Sequence, residues 1–221
     1  MTRQQLSIFV IILLSATVAL AGSTTLIRHE SAFLWNSSFQ LNADWLVYTR
    51  GHFQAQAYTL WETSSHKWKE FNVAVAPVFA IPHASLSFPV GIRLHPEEGW
   101  QVSHAITKVN VFGRAGNFPF FLINDLSWGV GGKGNDVGKN EHFIQQQLAW
   151  QPKDSRIGLG IQSEQVLSGS QAVSMKVGLV LKLIYAKSTN WSWTVDVLPF
   201  YDAKQKDTGV KLNFLTFHFG R

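Results

Sequence analysis

Several histidines lie near serine or acidic residues, the residue types that a hydrolytic site requires. In such a site a histidine takes the proton of a serine nucleophile while a carboxylate orients the imidazole ring. The positions that carry these residue types are His29-Glu30, His104, Asp125-Leu-Ser127 and His142. Their spacing does not require catalysis, since a lone histidine on a strand is more often structural. A hydrolase is therefore an alternative function, and no residue is assigned a catalytic role.

A glycine-rich segment at 131–136 matches the start of a calcium-binding repeat. Such repeats share the ion between successive copies, and this segment occurs once. No Gly-Lys-Ser/Thr follows it, as a phosphate-binding loop requires. The sequence has no cysteine and no histidine cluster at zinc spacing. We therefore expect neither a metal nor a cofactor.

Charged residues recur on the polar side of segments in which apolar and polar side chains alternate. The candidates for lining an interior passage are Arg93, His104, Lys108, Arg114, Lys176, Lys182, Lys211 and Asp196. Asp44, Glu62 and Glu164 share that side. If the polar side lines a channel, its positive excess favours anions. The alternative is that these charges pair across a small lumen and merely fill it.

Period-two alternation is the pattern that must position these residues, and it is typical of β-strands. In 39–49 one face carries Phe39, Leu41, Ala43, Trp45 and Val47. Twelve segments show such a pattern: 25–34, 39–49, 53–62, 70–81, 84–95, 101–113, 118–130, 142–151, 157–167, 172–186, 190–202 and 208–219. We predict an all-β fold, a single antiparallel transmembrane barrel of about twelve strands. If 45–62 is one long strand, the count falls to ten.

Short turn-rich pieces connect the predicted strands, so hairpins follow one another without a helix. Pro77, Pro89 and Pro199 fall inside predicted strands, where proline removes a hydrogen-bond donor and favours a bend, a bulge or a strand end. The one long connection is 131–141, which is rich in Gly and Asn. An even strand count returns both termini to one side of the membrane, as in bacterial barrels.

Residues 1–21 have the order of a secretory signal peptide, with Arg3, an apolar run from Leu6 to Leu20, and small residues at Ala19 and Ala21. Cleavage after Ala21 leaves 22–221 as the barrel. Position 22 is Gly, so the lipoprotein route, which needs a cysteine there, is excluded. No later stretch of about 18 apolar residues could span a bilayer as a helix.

The composition is unlike that of an ordinary soluble core, because only 15% of residues are charged and nine are Trp. Removing Arg3 with the signal leaves eighteen Lys and Arg against fourteen acids, a net charge of +4. This excess is too diffuse for nucleic-acid binding. It is compatible with anionic lipid or a small anionic solute.

Alternation does not say which face points outward, and a soluble barrel that binds an apolar ligand also alternates. Tryptophans near strand ends favour a membrane barrel, because these rings prefer the bilayer interfaces. The predicted aromatic girdle is Trp35, Trp45, Trp61, Trp100, Trp128, Trp150 and Trp191. The predicted lipid-facing residues are Phe39, Leu41, Trp45, Phe53, Leu86, Phe88, Val90, Leu179, Leu181, Val195 and Phe214.

The alternating end of the chain, 210–219, resembles the C-terminal insertion signal of outer-membrane proteins, although Gly220-Arg221 follow it. The segment 33–45 and the alternation after it resemble an uncharacterised family of bacterial outer-membrane β-barrels. A looser likeness is to the twelve-stranded oligosaccharide-specific porins, whose lumens carry more arginines. The resemblance implies an outer-membrane location, with outer-membrane lipid and the assembly machinery of that membrane as partners. We expect a narrow channel or a structural envelope protein; the alternatives are a lipid-modifying hydrolase and the soluble barrel.

Overall fold

The structure, a computed structural model, describes residues 23–35, 40–62, 67–96, 99–130, 139–169, 171–187 and 191–219. The predicted signal peptide at 1–21 lies outside these residues. So do Phe39 and the glycine-rich segment 131–136. Among the described residues, no helix has the length and apolar character to cross a bilayer.

Alternating side chains and tight turns form one closed antiparallel sheet. Its strands are β1 (Ser23–Leu34), β2 (Gln40–Arg50), β3 (Phe53–Glu62), β4 (Lys67–Ile81), β5 (Ala84–Ser87), β6 (Val90–His95), β7 (Gln101–Ala115), β8 (Phe118–Gly129), β9 (Glu141–Trp150), β10 (Ile157–Ser168), β11 (Gln171–Lys187), β12 (Trp191–Asp202) and β13 (Asp207–Phe219). β1 pairs with β13, which closes the barrel. β5 and β6 both lie between β4 and β7, so they are two halves of one barrel strand. The prediction of a twelve-stranded barrel is confirmed.

The break between β5 and β6 falls at Phe88-Pro89, where proline has no N–H to donate. The backbone bridges this gap, since Phe88 N donates to Pro77 O at 3.3 Å and Lys108 N donates to Pro89 O at 2.8 Å. The predicted irregularity at Pro89 is therefore confirmed, whereas Pro77 and Pro199 stay within β4 and β12. Gly51, with a φ of 56°, turns the chain between β2 and β3 and rules out the ten-strand alternative.

Bonds between strands that are not neighbours in the sheet identify the interior. Arg28 on β1 donates to Gln145 on β9 at 3.4 Å, and Lys211 on β13 lies 2.5 Å from Glu164 on β10. These side chains can meet only across the lumen. Because residues opposite each other in an antiparallel pair point to the same face, the register then assigns an inner and an outer face to every strand.

The outer face is apolar and the inner face is polar. Val177 and Leu179 point outward and are 63% and 66% exposed, whereas the inward Gln145 and Asn213 are 0% and 2% exposed. A soluble barrel with an apolar centre would have the opposite arrangement. Exposed apolar surface on this scale is typical of a face that meets lipid or a partner.

β2 reverses the predicted assignment of its two faces. Leu41, Ala43 and Trp45 share the inner face with Arg28, whose guanidinium carbon lies 4.5 Å from the centroid of the Trp45 ring. The predicted lipid-facing positions of Leu41 and Trp45 are therefore wrong, as is the place of Trp45 in the girdle. Asp44, predicted to face inward, faces outward instead. Alternation shows which residues of a strand share a face, but it does not show which face points to the lumen. In β2 the face that carries Trp45 points inward, where the Trp45 ring stacks on Arg28.

The other described residues predicted to meet lipid do not face the lumen. By register the outward ones are Phe53, Leu86, Val90, Leu179, Leu181, Val195 and Phe214. Phe88 lies in the break between β5 and β6 and is 39% exposed.

Candidate functional site

A chain of five charged side chains crosses the lumen with alternating sign. Arg28 Nη2 lies 2.5 Å from Glu30 Oε2, and Glu30 Oε1 lies 2.8 Å from Lys211 Nζ. Glu164 in turn pairs with two lysines: its Oε2 lies 2.5 Å from Lys211 Nζ, and its Oε1 lies 2.8 Å from Lys176 Nζ. Burial of these charges is tolerated because each one has an opposite charge within bonding distance. We call this set the lumen charge chain.

Arg28 also reaches across the lumen. It extends from β1 to Gln145 on β9, with the Trp45 ring at 4.5 Å and the Phe121 ring centroid at 6.0 Å. Beside the lumen charge chain, a cavity of about 10 Å³ is lined by Gln162, Glu164, Lys176, Gly178, Leu198, Phe200 and Lys211. That volume holds about one water molecule, so these side chains pack closely. Because Arg28 reaches β9 on the far wall of the barrel, it narrows the passage at this level.

Three further basic residues form ion pairs on the inner face. Lys108 Nζ is 2.6 Å from Asp125 Oδ2, and Lys182 Nζ is 2.6 Å from Asp196 Oδ2. Arg93 lies between two acids, with Nε 3.3 Å from Glu70 Oε2 and Nη1 bonded to Glu141. The positive charges of the lumen are thus largely compensated by acids on neighbouring strands.

All eight predicted lining residues lie on the inner face by register, but in separate groups. Lys176 and Lys211 meet at Glu164, whereas Lys108, Lys182 with Asp196, and Arg93 form pairs elsewhere. His104 is 1% exposed and bonds Ser103 Oγ at 2.9 Å and Lys139 O at 3.0 Å. Arg114 donates to Gln151 O near one barrel end.

Sequence reasoning missed Arg28 and Glu30 as members of the lumen charge chain. They fall on alternate residues of β1, and this alternation was a usable signal. The contacts that these residues make across the lumen could not be predicted, because Gln145 is 117 residues from Arg28 and no local pattern connects the two.

The residue types that suggested hydrolysis do not come together as one site. Asp125 and Ser127 face inward, where Ser127 Oγ donates to Asp125 at 3.2 Å and accepts from Arg93 at 2.9 Å. His142 faces outward and bonds the Asn124 side chain at 2.6 Å. His29 also faces outward, on the opposite face to Glu30. Among the described residues, no group of three or more His, Cys, Asp or Glu could hold a metal ion.

The remaining girdle residues fall at the two ends of the barrel. Trp35, Trp61, Trp100 and Trp128 lie at the barrel end where β8 ends and β9 begins, and Trp150 and Trp191 lie at the other end. Trp35, Trp100 and Trp128 are 67%, 54% and 45% exposed, and Trp150 and Trp191 are 49% and 40% exposed. Two such bands are what a bilayer with two interfaces favours.

No protein-family model and no curated protein matches the sequence. Among solved structures, the KdgM porin is similar, with 10% identity and a TM-score of 0.52 over 88% of this chain and 98% of that one. The NanC porin gives 8% identity and a TM-score of 0.58, over 87% and 98% of the two chains. An outer-membrane channel from Pseudomonas putida F1 gives 9% identity and 0.53, over 91% and 96%. The likeness shows the fold, a closed twelve-stranded antiparallel barrel like those of these three proteins.

Proposed function

We propose that this chain is an integral outer-membrane barrel that forms a narrow channel for ions and small solutes, with a mild preference for anions. The observation that carries the proposal is the closed barrel with an apolar outer face and an ion-paired polar lumen. In a bilayer, such a barrel pairs the backbone N–H and C=O groups of every strand with a neighbouring strand and leaves no free edge. The predicted signal peptide and the porin-type fold support the outer membrane as its location.

The size and preference of the channel follow from the same contacts. Arg28 crosses the lumen, so solutes the size of oligosaccharides are excluded unless this side chain moves. Arg28, Lys176 and Lys211 outnumber Glu30 and Glu164 in the lumen charge chain, which leaves one excess positive charge at the level of Arg28. Arg93 with its two acids leaves the opposite excess at another level, so the preference is set locally, where Arg28 crosses the lumen. A single excess charge favours anions weakly.

We expect Arg28→Ala to raise the single-channel conductance several-fold and to shift ion selectivity toward cations. The substitution removes the group that reaches Gln145, and Glu30 keeps Lys211 as its partner at 2.8 Å. The measurement is current across planar bilayers that contain the refolded protein, with reversal potentials in a salt gradient. Arg114→Ala is the matched control, because Arg114 bonds a backbone carbonyl near one barrel end.

The bonds across the lumen also favour a second candidate, a sealed structural barrel of the envelope. The same recordings separate the two. If neither the wild type nor Arg28→Ala carries current, the channel proposal is wrong and the sealed barrel takes its place. Equal conductance in wild type and Arg28→Ala would show that Arg28 is not the constriction.

A further inference from the structure

The outer face of β1 and β2 carries polar side chains where lipid is expected. His29 and Ser31 on β1 stand opposite Asp44 and Asn42 on β2, and all four point away from the lumen charge chain. Ionisable side chains that face hydrocarbon are costly, at about 2–4 kcal/mol for a basic residue at mid-depth, so they are rare and mark functional sites. We call these four residues the outer polar cluster.

Three members of the outer polar cluster are bonded in series. Asp44 Oδ1 lies 2.8 Å from His29 Nδ1, and His29 Nε2 lies 3.1 Å from Ser31 Oγ. Asp44 Oδ2 also accepts a hydrogen bond from Trp61 Nε1 at 3.3 Å, which holds the carboxylate in place. A carboxylate on one imidazole nitrogen and a serine hydroxyl on the other is the arrangement of nucleophile, base and orienting acid in serine hydrolases.

Asn42 supplies the fourth group that such a reaction needs. Its side-chain oxygen accepts a hydrogen bond from Ser31 Oγ at 2.7 Å, and the residue is 2% exposed. Attack on a carbonyl group requires this carboxamide to turn, which frees the Ser31 proton for His29 and directs the Asn42 N–H toward the oxygen that becomes negative. Ser31 is 8% exposed, and the imidazole-bearing side chain of His29 is 37% exposed, so the bonded series is open on its histidine side.

We propose that the outer polar cluster is a serine hydrolase site that cleaves acyl esters of membrane lipids. It goes beyond the channel function, because it lies on the opposite face of the barrel wall. The substrate must reach it from the bilayer, since the lumen is separated from it by the sheet.

The depth of the cluster fits the ester bonds of lipids. Ser31 pairs with Asn42, and Asn42 pairs with Trp61, so these three residues lie in one row across β1, β2 and β3. Trp61 is next to the last residue of β3, at the end of the barrel where tryptophans form one band. Tryptophan marks the interface between headgroups and acyl chains, which is where acyl esters lie.

The barrel end that carries the cluster indicates which leaflet is its source of substrate. β1 ends at the barrel end where β8 ends and β9 begins, with eleven residues of sequence between those two strands, whereas the turns 51–52, 82–83 and 116–117 lie at the other end. Outer-membrane barrels have short periplasmic turns and longer extracellular loops. The cluster therefore faces the outer leaflet, whose acyl esters belong to glycolipid or to phospholipid.

The reaction balances with water as its co-reactant. Ser31 Oγ attacks the ester carbonyl carbon and gives its proton to His29 Nε2, and the bond between the carbonyl carbon and the alkoxy oxygen breaks. His29 returns the proton to the leaving alkoxide, which departs as an alcohol. A water molecule then attacks the carbonyl carbon of acyl-Ser31 and gives a proton to His29. The bond from that carbon to Ser31 Oγ breaks, His29 returns the proton to Ser31 Oγ, and a fatty acid is released.

Two other outward groups lack this arrangement and serve as controls. Ser163 on β10 accepts a hydrogen bond from Gln146 Nε2 at 3.0 Å, and His142 on β9 bonds Asn124. Among the bonds of the described residues, Ser163 has no histidine partner, and His142 is bonded to neither a serine nor an acid. A polar residue on the outer face is therefore not sufficient, and the series at Ser31 is what distinguishes the cluster.

The test uses the folded full-length mature protein in detergent micelles, with a fluorophosphonate probe and two lipids, phosphatidylethanolamine and acylated lipid A. We expect the probe to label Ser31, as shown by mass spectrometry of the modified peptide, and fatty acid to be released from at least one lipid. Ser31→Ala should abolish labelling and lower fatty-acid release by on the order of 10⁶-fold. Asn42→Ala should lower turnover by about 10²–10³-fold.

Ser163→Ala and His142→Ala should keep both labelling and release, and all variants should keep the mobility shift of a folded barrel on unboiled gels. Release from lipid A alone or from phosphatidylethanolamine alone identifies the substrate lipid. A folded wild type that is neither labelled nor active overturns the proposal. Labelling of Ser31 without fatty-acid release from either lipid overturns the assignment of lipid esters as substrate.

Discussion

Glu164→Gln should lower the free energy of unfolding by about 3–5 kcal/mol, the usual cost of removing one member of a buried ion pair. Glu164 is 7% exposed and joins Lys176 and Lys211 at 2.8 and 2.5 Å. The glutamine keeps the shape of the side chain but leaves the two ammonium groups close together without the carboxylate between them. Denaturant unfolding of the refolded barrel, followed by tryptophan fluorescence, measures the change.

The double variant Glu164→Gln/Lys176→Gln provides the rescue. It restores the excess of one positive charge in the lumen charge chain, so part of the lost stability should return, and the cycle of single and double variants measures the coupling between the two residues. Lys204→Gln, at an exposed turn position, should leave the unfolding free energy nearly unchanged. An unchanged stability in Glu164→Gln would mean that water reaches this carboxylate freely and that the lumen is wider than the contacts indicate.

Leu179→Arg should destabilise the barrel in lipid bilayers by about 2–4 kcal/mol, the cost of a basic residue on the lipid face at mid-membrane. Leu179 is the central residue of β11, faces outward and is 66% exposed. In a membrane its exposure is to hydrocarbon, which cannot solvate a guanidinium group. Reversible unfolding from lipid vesicles measures the effect.

Val173→Arg is the control that makes this prediction specific to the membrane. Val173 is the third residue of the same strand, at a β-bulge, and is 48% exposed, near the strand end where the cost of arginine falls to about 0–1 kcal/mol. The difference between the two variants therefore reports depth in a bilayer. Two equally harmless substitutions would contradict the membrane location, because the same surface in water would accept arginine at either position.

The two substitutions probe opposite faces of one wall, and this separates the proposals about function. Glu164 reports on the lumen, on which the channel depends, whereas Leu179 reports on the surface that meets lipid. A hydrolase on the outer face requires the prediction for Leu179 to be correct, because its substrate comes from the lipid, but it does not require the lumen to conduct ions. A sealed lumen would therefore leave the outer polar cluster as the functional site of the barrel.

The strand count was accessible from the sequence because each strand is a local pattern. A residue and its second neighbour share a face in any strand, so alternation and turn residues located the strands at 84–95 and 118–130 without reference to any partner. The break at Pro89 could also be predicted from the sequence, since proline has no N–H and interrupts the hydrogen bonds between strands wherever it occurs.

Charges on the inner face were partly accessible for the same reason. Lys176 and Lys211 fall on the polar parity of their strands, which the sequence shows. Their meeting at Glu164 does not follow from it, because Lys211 is 47 residues from Glu164 and on a strand that is not adjacent to β10.

The amino-acid sequence by itself determined that this chain forms about twelve alternating strands with aromatic residues at their ends. Only the tertiary structure decided which side of β2 faces lipid, because alternation is unchanged when a strand is turned over. Barrel closure and the stacking of Arg28 on Trp45 settled that choice, which turned Asn42 and Asp44 outward beside Ser31 and His29. The residue types were visible in the sequence, but the bonds between them depend on the register of two strands.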